Sequence, residues 1–218
     1  MFSAIRPQQL PTGGTVGVAA VALAALGLLT AFLLADAQHP IFQAPDDAWT
    51  AWVADARSPS LDAVNQVLNV AGYRGVLLLQ ATLTLLLFVR HRPADALFSL
   101  ASGGLVLLLL QVLKAAVGRV RPPNTVVLTD TGSFPSGHTA TTTAFLLLLA
   151  LLIARWWMWL LALVLSLAMA LSRIYLQAHW ATDTLGGILL AVTVVPALWL
   201  AFQKNARRGR VEGRRETT

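Results

Sequence analysis

The 218-residue sequence predicts an all-α protein, a bundle of six transmembrane helices. Three observations carry that expectation. Hydrophobic residues make up 56% of the chain and charged residues only 12%, too apolar a balance for a soluble core of this size. Leucine and alanine fill runs approaching the roughly 20 residues that a helix needs to cross a bilayer. No linker between those runs is long enough to divide the chain.

Taken in order, the apolar runs place spans near Thr15–Ala35, Gly75–Val89, Ala94–Leu113, His138–Ala154, Trp156–Leu171 and Thr182–Phe202. The second could be lengthened by Asn65–Tyr73. The first competes with a secretory signal, since Ala35, Asp36 and Ala37 resemble a cleavage site. Its apolar run from Val16 to Leu34 exceeds the usual h-region of about 7–15 residues, which favours a retained helix. Basic residues set the orientation. With the N-terminus in the cytoplasm, Arg6, Arg90, Arg92, Arg155 and six residues of the tail fall inside, and six other cations fall outside. The excess inside predicts cytoplasmic termini, with the polar motifs described below on the outer side.

Between the first two spans, Trp49, Trp52, Val53 and Ala56 share one helical face, and Asp46, Asp47, Asp55 and Arg57 take the rest. This predicts a short amphipathic helix in the first outer loop, serving either as an interfacial helix or as a lid on the bundle. Trp156, Trp157 and Trp159 read as interfacial anchors. Gly103 and Gly104 suggest close helix contact. Residues 1–203 form one membrane domain on this reading, followed by a disordered basic tail over 204–218. Lys204, Arg207, Arg208, Arg210, Arg214 and Arg215 of that tail are six of the 16 basic residues behind the net charge of +6. They enforce topology or meet anionic lipid. No aromatic-basic platform accompanies them, so nucleic acid is not an expected partner. The chain has no cysteine, which removes disulfides, thiolate chemistry and thiolate metal sites.

Three segments put ionisable groups at span ends, where such groups are costly and mark function. They run from Lys114 to Pro122, from Phe134 to Thr139, and from Ser172 to Asp183. Lys114, Arg121 and Arg173 come from ends on one face and can neutralise a single phosphoryl group. Ser136 and Gly137 open the fourth span, where backbone N–H groups and a hydroxyl favour an anion. His179 and Asp183 lie four apart, so a carboxylate can hold the ring and stabilise charge on it while the other nitrogen attacks. His138 is placed to protonate a leaving oxygen and then activate water. Taken singly, these segments read as a capped helix start, a snorkelling cation pair and a structural hydrogen-bonded pair.

Together, Lys-x6-Arg-Pro, Pro-Ser-Gly-His and Ser-Arg-x5-His-x3-Asp resemble the three-part signature of the type 2 phosphatidic acid phosphatase family, with every fixed position matched. The resemblance implies a six-helix membrane enzyme with its site on the outer face and no cofactor or metal. It implies His179 as nucleophile, Asp183 as its support and His138 as acid/base, with Lys114, Arg121, Ser136, Gly137 and Arg173 binding phosphate. The substrates so implied are lipid phosphates: undecaprenyl diphosphate, phosphatidylglycerophosphate or phosphatidate, and at greater distance lipid A phosphate. The family extends to soluble vanadate-binding haloperoxidases, from which the apolar spans set this chain apart. Only Asp183 and Asp130 lie in the motif region, too few carboxylates for a hard-metal site, so activity is expected to survive a chelator. The alternative from another class is a non-catalytic lipid-binding scaffold or small transporter. Outside the motifs, His39 and His91 read as solvated and Asp130 as a turn residue. Arg119 reads as a minor attractant for an anionic headgroup, and Tyr175 as lipid path or packing.

Overall fold

A computed structural model describes residues 11–127 and 132–215, with side chains as far as residue 203. Arg6 and Asp130 fall outside that range. The described residues are helical throughout, with no strand among them. In chain order the helices are α1 (Thr12–Ala35), α2 (Gln43–Asp55), α3 (Pro59–Val70), a π-helical turn (Ala71–Gly75), α4 (Val76–Val89), α5 (Pro93–Val117), α6 (Gly137–Ile153), α7 (Trp156–Tyr175) and α8 (Ala181–Arg215).

Local chemistry explains the boundaries. Ser58 caps α3, its Oγ accepting from the Leu61 N–H at 3.4 Å, and Pro59 follows at the first helical position. Pro93 opens α5 in the same way, with Arg92 Nε 2.7 Å from Asp95 in the first turn. Gly118, at φ +60°, ends that helix in the left-handed conformation that glycine adopts at little cost.

Five helical stretches are long and apolar enough to cross a membrane: Thr12–Ala35, Pro59–Val89, Pro93–Val117, Trp156–Tyr175 and Ala181–Gln203. The apolar α6 is shorter, at 17 residues. The second stretch takes the lengthening that Asn65–Tyr73 offered in the sequence. The π-turn carries α3 into α4 as one 31-residue helix, so the segment from Asn65 to Tyr73 belongs to it, and Arg74 sits in its interior. Large apolar side chains such as Leu78, Phe88, Leu100 and Leu163 are exposed on the bundle surface, as lipid-facing positions are.

The core lies where α8 packs along α1 and α6 and where α6 meets α5 and α7. Leu110, Leu148, Leu151, Leu190 and Val195 fill it. Successive helices run in opposite directions, so the ends of α5 and α7 and the starts of α6 and α8 share one end of the bundle. All three motifs lie there. Gly103 does serve close contact, since a Cβ there would lie 2.4 Å from Gln80 Nε2, but Gly104 faces open space.

One expectation differs from the structure. Residues 204–215, expected to be disordered, continue α8 as helix; alanine, arginine and lysine are good helix formers, and extending an existing helix needs no new nucleus. Residues 216–218 lie outside the described range. The segment around Trp49, open from sequence as an interfacial helix or a lid, is helical, with Asp46 and Val53 packed inward and Asp47 and Asp55 exposed. Asp46 is 1% exposed, while Trp49 and Trp52 are 45% and 62% exposed. A buried cation supplies the reason.

Candidate active site

Chain reversals at the motif end of the bundle bring the three segments together. After Gly118, the Arg119 carbonyl accepts from the Ser133 N–H at 2.8 Å, tying the first segment to the second. The Ser136 N–H donates to the Asp183 carbonyl at 2.9 Å, tying the second to the third. The Phe134–Pro135 peptide bond in this stretch is cis. Trp180 Nε1 donates to the Val120 carbonyl at 2.8 Å, which closes the circuit.

The result is a cavity of about 880 Å³ lined by Lys114, Arg121, Gly137, His138, Arg173 and His179. Its volume falls within the ~300–1,000 Å³ range of ligand pockets. Six of the eight residues singled out from sequence thus face one space. Asp183 and Ser136 do not line it. Asp183 sits behind His179, fully buried. Ser136 is buried in the wall, where its Oγ accepts from Thr139 Oγ1 at 3.1 Å. The backbone bond from Ser136 to Asp183 draws that residue towards α8 and away from the cavity.

The partners of His179 fix its tautomer. Nδ1 lies 2.8 Å from the Ser133 carbonyl oxygen, which can only accept, so Nδ1 carries the hydrogen. Nε2 lies 3.2 Å from an Arg121 guanidinium nitrogen, which can only donate, so Nε2 presents its lone pair. The unprotonated nitrogen therefore points among the cations. The expected direct bond from Asp183 is replaced by the Ser133 carbonyl. Asp183 Oδ2 stands 3.7 Å from Nδ1, a charge contact longer than a hydrogen bond. That oxygen is occupied by the Ser133 hydroxyl and by the Trp180 N–H at 2.9 Å. Burial pushes the His179 imidazole down to about 4, with Arg121 and Lys114 acting in the same sense and Asp183 opposing them.

His138 is held from the other side. Its Nε2 lies 3.1 Å from the Asn69 carbonyl, so Nε2 carries a hydrogen and Nδ1 is left to exchange a proton. Tyr73 packs against the ring at 5.6 Å between centroids. A Cβ on Gly72 would lie 2.9 Å from His138 Cδ2, so the ring's position requires glycine there. The Asn69 side chain accepts from Arg173 at 2.7 Å. Arg173 is 1% exposed, and its buried Nε has no hydrogen-bond partner among the described residues. Lys114 Nζ donates to the Gly132 carbonyl, and Arg121 to the Ala178 carbonyl at 2.6 Å.

Arg119, read from sequence as a minor attractant, is instead a buried structural cation. It is 1% exposed and lies 2.8 Å from both Asp46 and Asp183. Its guanidinium carbon is 5.6 Å and 5.4 Å from the ring centroids of Phe42 and Trp180. Arg119 thus draws Asp46 inward and turns the tryptophan face of α2 outward. Tyr175, left open from sequence, donates to Asp62 at 2.8 Å and packs near Arg57. Asn69, Ser133 and Asp46 are site residues outside the three segments, and Arg119 is one at an unfixed position of the first. Only Arg119 left a signal, as a third cation beside Lys114 and Arg121 at a span end.

The profile of the PAP2 superfamily matches residues 92–207, more than half of the chain. Phosphatidylglycerophosphatase B of Bacillus subtilis (strain 168) is 28% identical over 172 residues, covering 73% of this chain and 85% of that protein. Among solved structures, a transmembrane PAP2 type phosphatidylglycerolphosphate phosphatase from Bacillus subtilis superposes with a TM-score of 0.73 at 26% identity. That match covers 83% of this chain and 96% of the other. Aquifex aeolicus LpxE shares the fold, with a TM-score of 0.60 at 22% identity over 69% of this chain and 92% of its own. The chain belongs to the PAP2 superfamily.

Proposed function

We propose that this protein is an integral membrane lipid phosphatase that hydrolyses a phosphate ester or diphosphate through a phosphohistidine at His179. The observation that carries the reading is the lone pair of His179 Nε2, directed beside Arg121 into a cavity that Lys114, Arg173 and His138 also line. Similarity to phosphatidylglycerophosphate phosphatases supports a lipid substrate.

In the reaction, Nε2 attacks phosphorus while the bond to the lipid oxygen breaks in line. The phosphoryl oxygens lie among Lys114, Arg121, Arg173 and the N–H groups near Gly137. Charge developing on the ring is stabilised by Asp183 at 3.7 Å and by the Ser133 carbonyl. His138, protonated at Nδ1 as the phosphate anion enters, gives that proton to the leaving oxygen, then takes one from the water that cleaves the N–P bond, and inorganic phosphate departs. None of these steps calls on a metal or cofactor. The lipid tail stays in the bilayer. On this reading six crossings keep both termini on one side of the membrane, and the excess of basic residues assigns that side to the cytoplasm and the cavity to the outer face. Residues 1–203 act as one membrane domain, and 204–218 as a basic cytoplasmic segment.

Purified protein in detergent, given phosphatidylglycerophosphate, should release inorganic phosphate. His179→Ala should reduce release to the background of the lipid alone. Equal release by the two proteins would refute the assignment and favour a binding scaffold.

A further inference from the structure

Arg74 is the single cation in the helical stretch Pro59–Val89. It occupies the π-turn, and it is exposed rather than packed in the core. The acid of this stretch, Asp62, is already engaged by Arg57 at 3.0 Å and by Tyr175. Arg74 itself forms no ion pair among the described residues. An unpaired cation inside a membrane span is costly unless an anion or water meets it. The cost is retained here at a particular place, since Arg74 lines the cavity that holds His138 and His179.

The neighbours of Arg74 in the turn are fixed by the catalytic ring. Tyr73 stacks near His138, and Gly72 lets that ring approach. A π-turn inserted in an α-helix often marks a functional position. Gln66, one helical stretch earlier, and Gln111, one turn before Lys114, line the same cavity and are exposed to it. None of these three side chains belongs to the signature that serves the reacting phosphoryl group. The motif cations already supply three positive charges for that group.

We propose that Arg74, with Gln66 and Gln111, forms a second anion subsite that binds another phosphate of the same lipid headgroup. This rests on the lipid phosphatase reading above and narrows it. Preferred substrates carry two phosphates, and lipids with a lone phosphomonoester are poorer. Two chemistries satisfy the requirement. In a phosphatidylglycerophosphate the second group is a phosphodiester across a glycerol; in a prenyl diphosphate it is the phosphoryl next to the leaving bond.

The test compares wild type with Arg74→Gln and Arg74→Lys, as full-length protein in detergent micelles. Phosphate release is measured on phosphatidate, phosphatidylglycerophosphate, a prenyl diphosphate and the matching prenyl monophosphate. Arg74→Gln should lower the kcat/KM ratio of two-phosphate to one-phosphate lipid at least tenfold, chiefly through KM, and Arg74→Lys should restore most of it. A fall confined to the glycerol pair or to the prenyl pair identifies which second phosphate is read. Unchanged ratios on both pairs overturn the subsite. Failure of the wild type on all four lipids would instead overturn the phosphatase reading itself.

Discussion

Replacing Arg119 by methionine keeps much of the side-chain volume and removes the cation held 2.8 Å from both Asp46 and Asp183. The three groups are at most 1% exposed, so water cannot take over the lost contacts. Removing one partner of a buried ion pair typically costs about 3–5 kcal/mol, because the charge left behind is uncompensated. Arg119→Met should fall in that range or above it, since two carboxylates are orphaned together. Asp46→Asn should cost less, about 1.5–3 kcal/mol, the worth of a hydrogen bond to a charged group, because Arg119 keeps Asp183. In the double variant the orphaned Asp46 charge is gone as well, so its loss should be smaller than the sum by about 1–3 kcal/mol. Unfolding in mixed micelles, followed by tryptophan fluorescence, reads all four proteins, and Trp180 against the guanidinium is a built-in reporter. Additive losses, or an Arg119→Met protein as stable as wild type, would refute the description of Arg119 as the joint between α2 and the catalytic carboxylate.

The His179 ring, held down to about 4 by burial, should stay neutral with its hydrogen on Nδ1 at about pH 5.5, where a free histidine of pKa about 6.5 is mostly charged. Isotope-labelled histidine spectra, assigned by the signal lost in His179→Ala, check this, and a midpoint near 6.5 would contradict it. The same depressed value means that the unfolded ring takes up a proton that the folded ring refuses between those two values. Stability contributed by the neutral ring is therefore lost as pH falls through that window. Gly187→Ala should destabilise by about 1–3 kcal/mol, since its Cβ would lie 2.7 Å from the Ser136 carbonyl, a backbone atom at the start of α6 that cannot swing aside. Gly104→Ala, which meets open space, should be neutral or stabilising by up to about 1 kcal/mol in the same micelle assay.

The groups that carry charge and lone pairs were legible from spacing alone. Lys114, Arg121, His138, Arg173 and His179 announce themselves as ionisable residues at the ends of apolar runs, where lipid-facing sequence has no use for them. The orientation of α2 was not legible, for a reason peculiar to membranes. In a soluble protein an apolar face packs inward, so Trp49 and Trp52 would point to the core. With hydrocarbon or interface outside, the same face has two acceptable environments, and periodicity no longer distinguishes them. The deciding element was the buried guanidinium of Arg119, more than sixty residues away in sequence. The lengthening of the second span through Asn65–Tyr73 was open to the sequence, but the place of Arg74 inside it was not. Asn69, Tyr73, Arg74 and Gly75 interrupt the hydropathy, and only a π-turn that presents them to a cavity reconciles them with a span.

Both cavity histidines take their tautomer from a backbone carbonyl outside the signature's fixed positions, Ser133 for His179 and Asn69 for His138. A carbonyl is present at every residue, so no side-chain pattern can reveal which one does this. It also cannot be removed by substitution, which leaves the folding of the surrounding chain as its only control. In the case of Ser133 that control is visible. Its N–H is held by the Arg119 carbonyl and its hydroxyl by Asp183, so the residue that orients the nucleophile is itself oriented by the first and third motifs. The Asn69 carbonyl is governed instead by the helix leading into the π-turn, while its side chain holds Arg173. One ring is therefore set from within the signature segments and the other from a helix that contains none of them. A change in α3 that shifts Asn69 should alter the proton transfer assigned to His138 while leaving the tautomer of His179 intact.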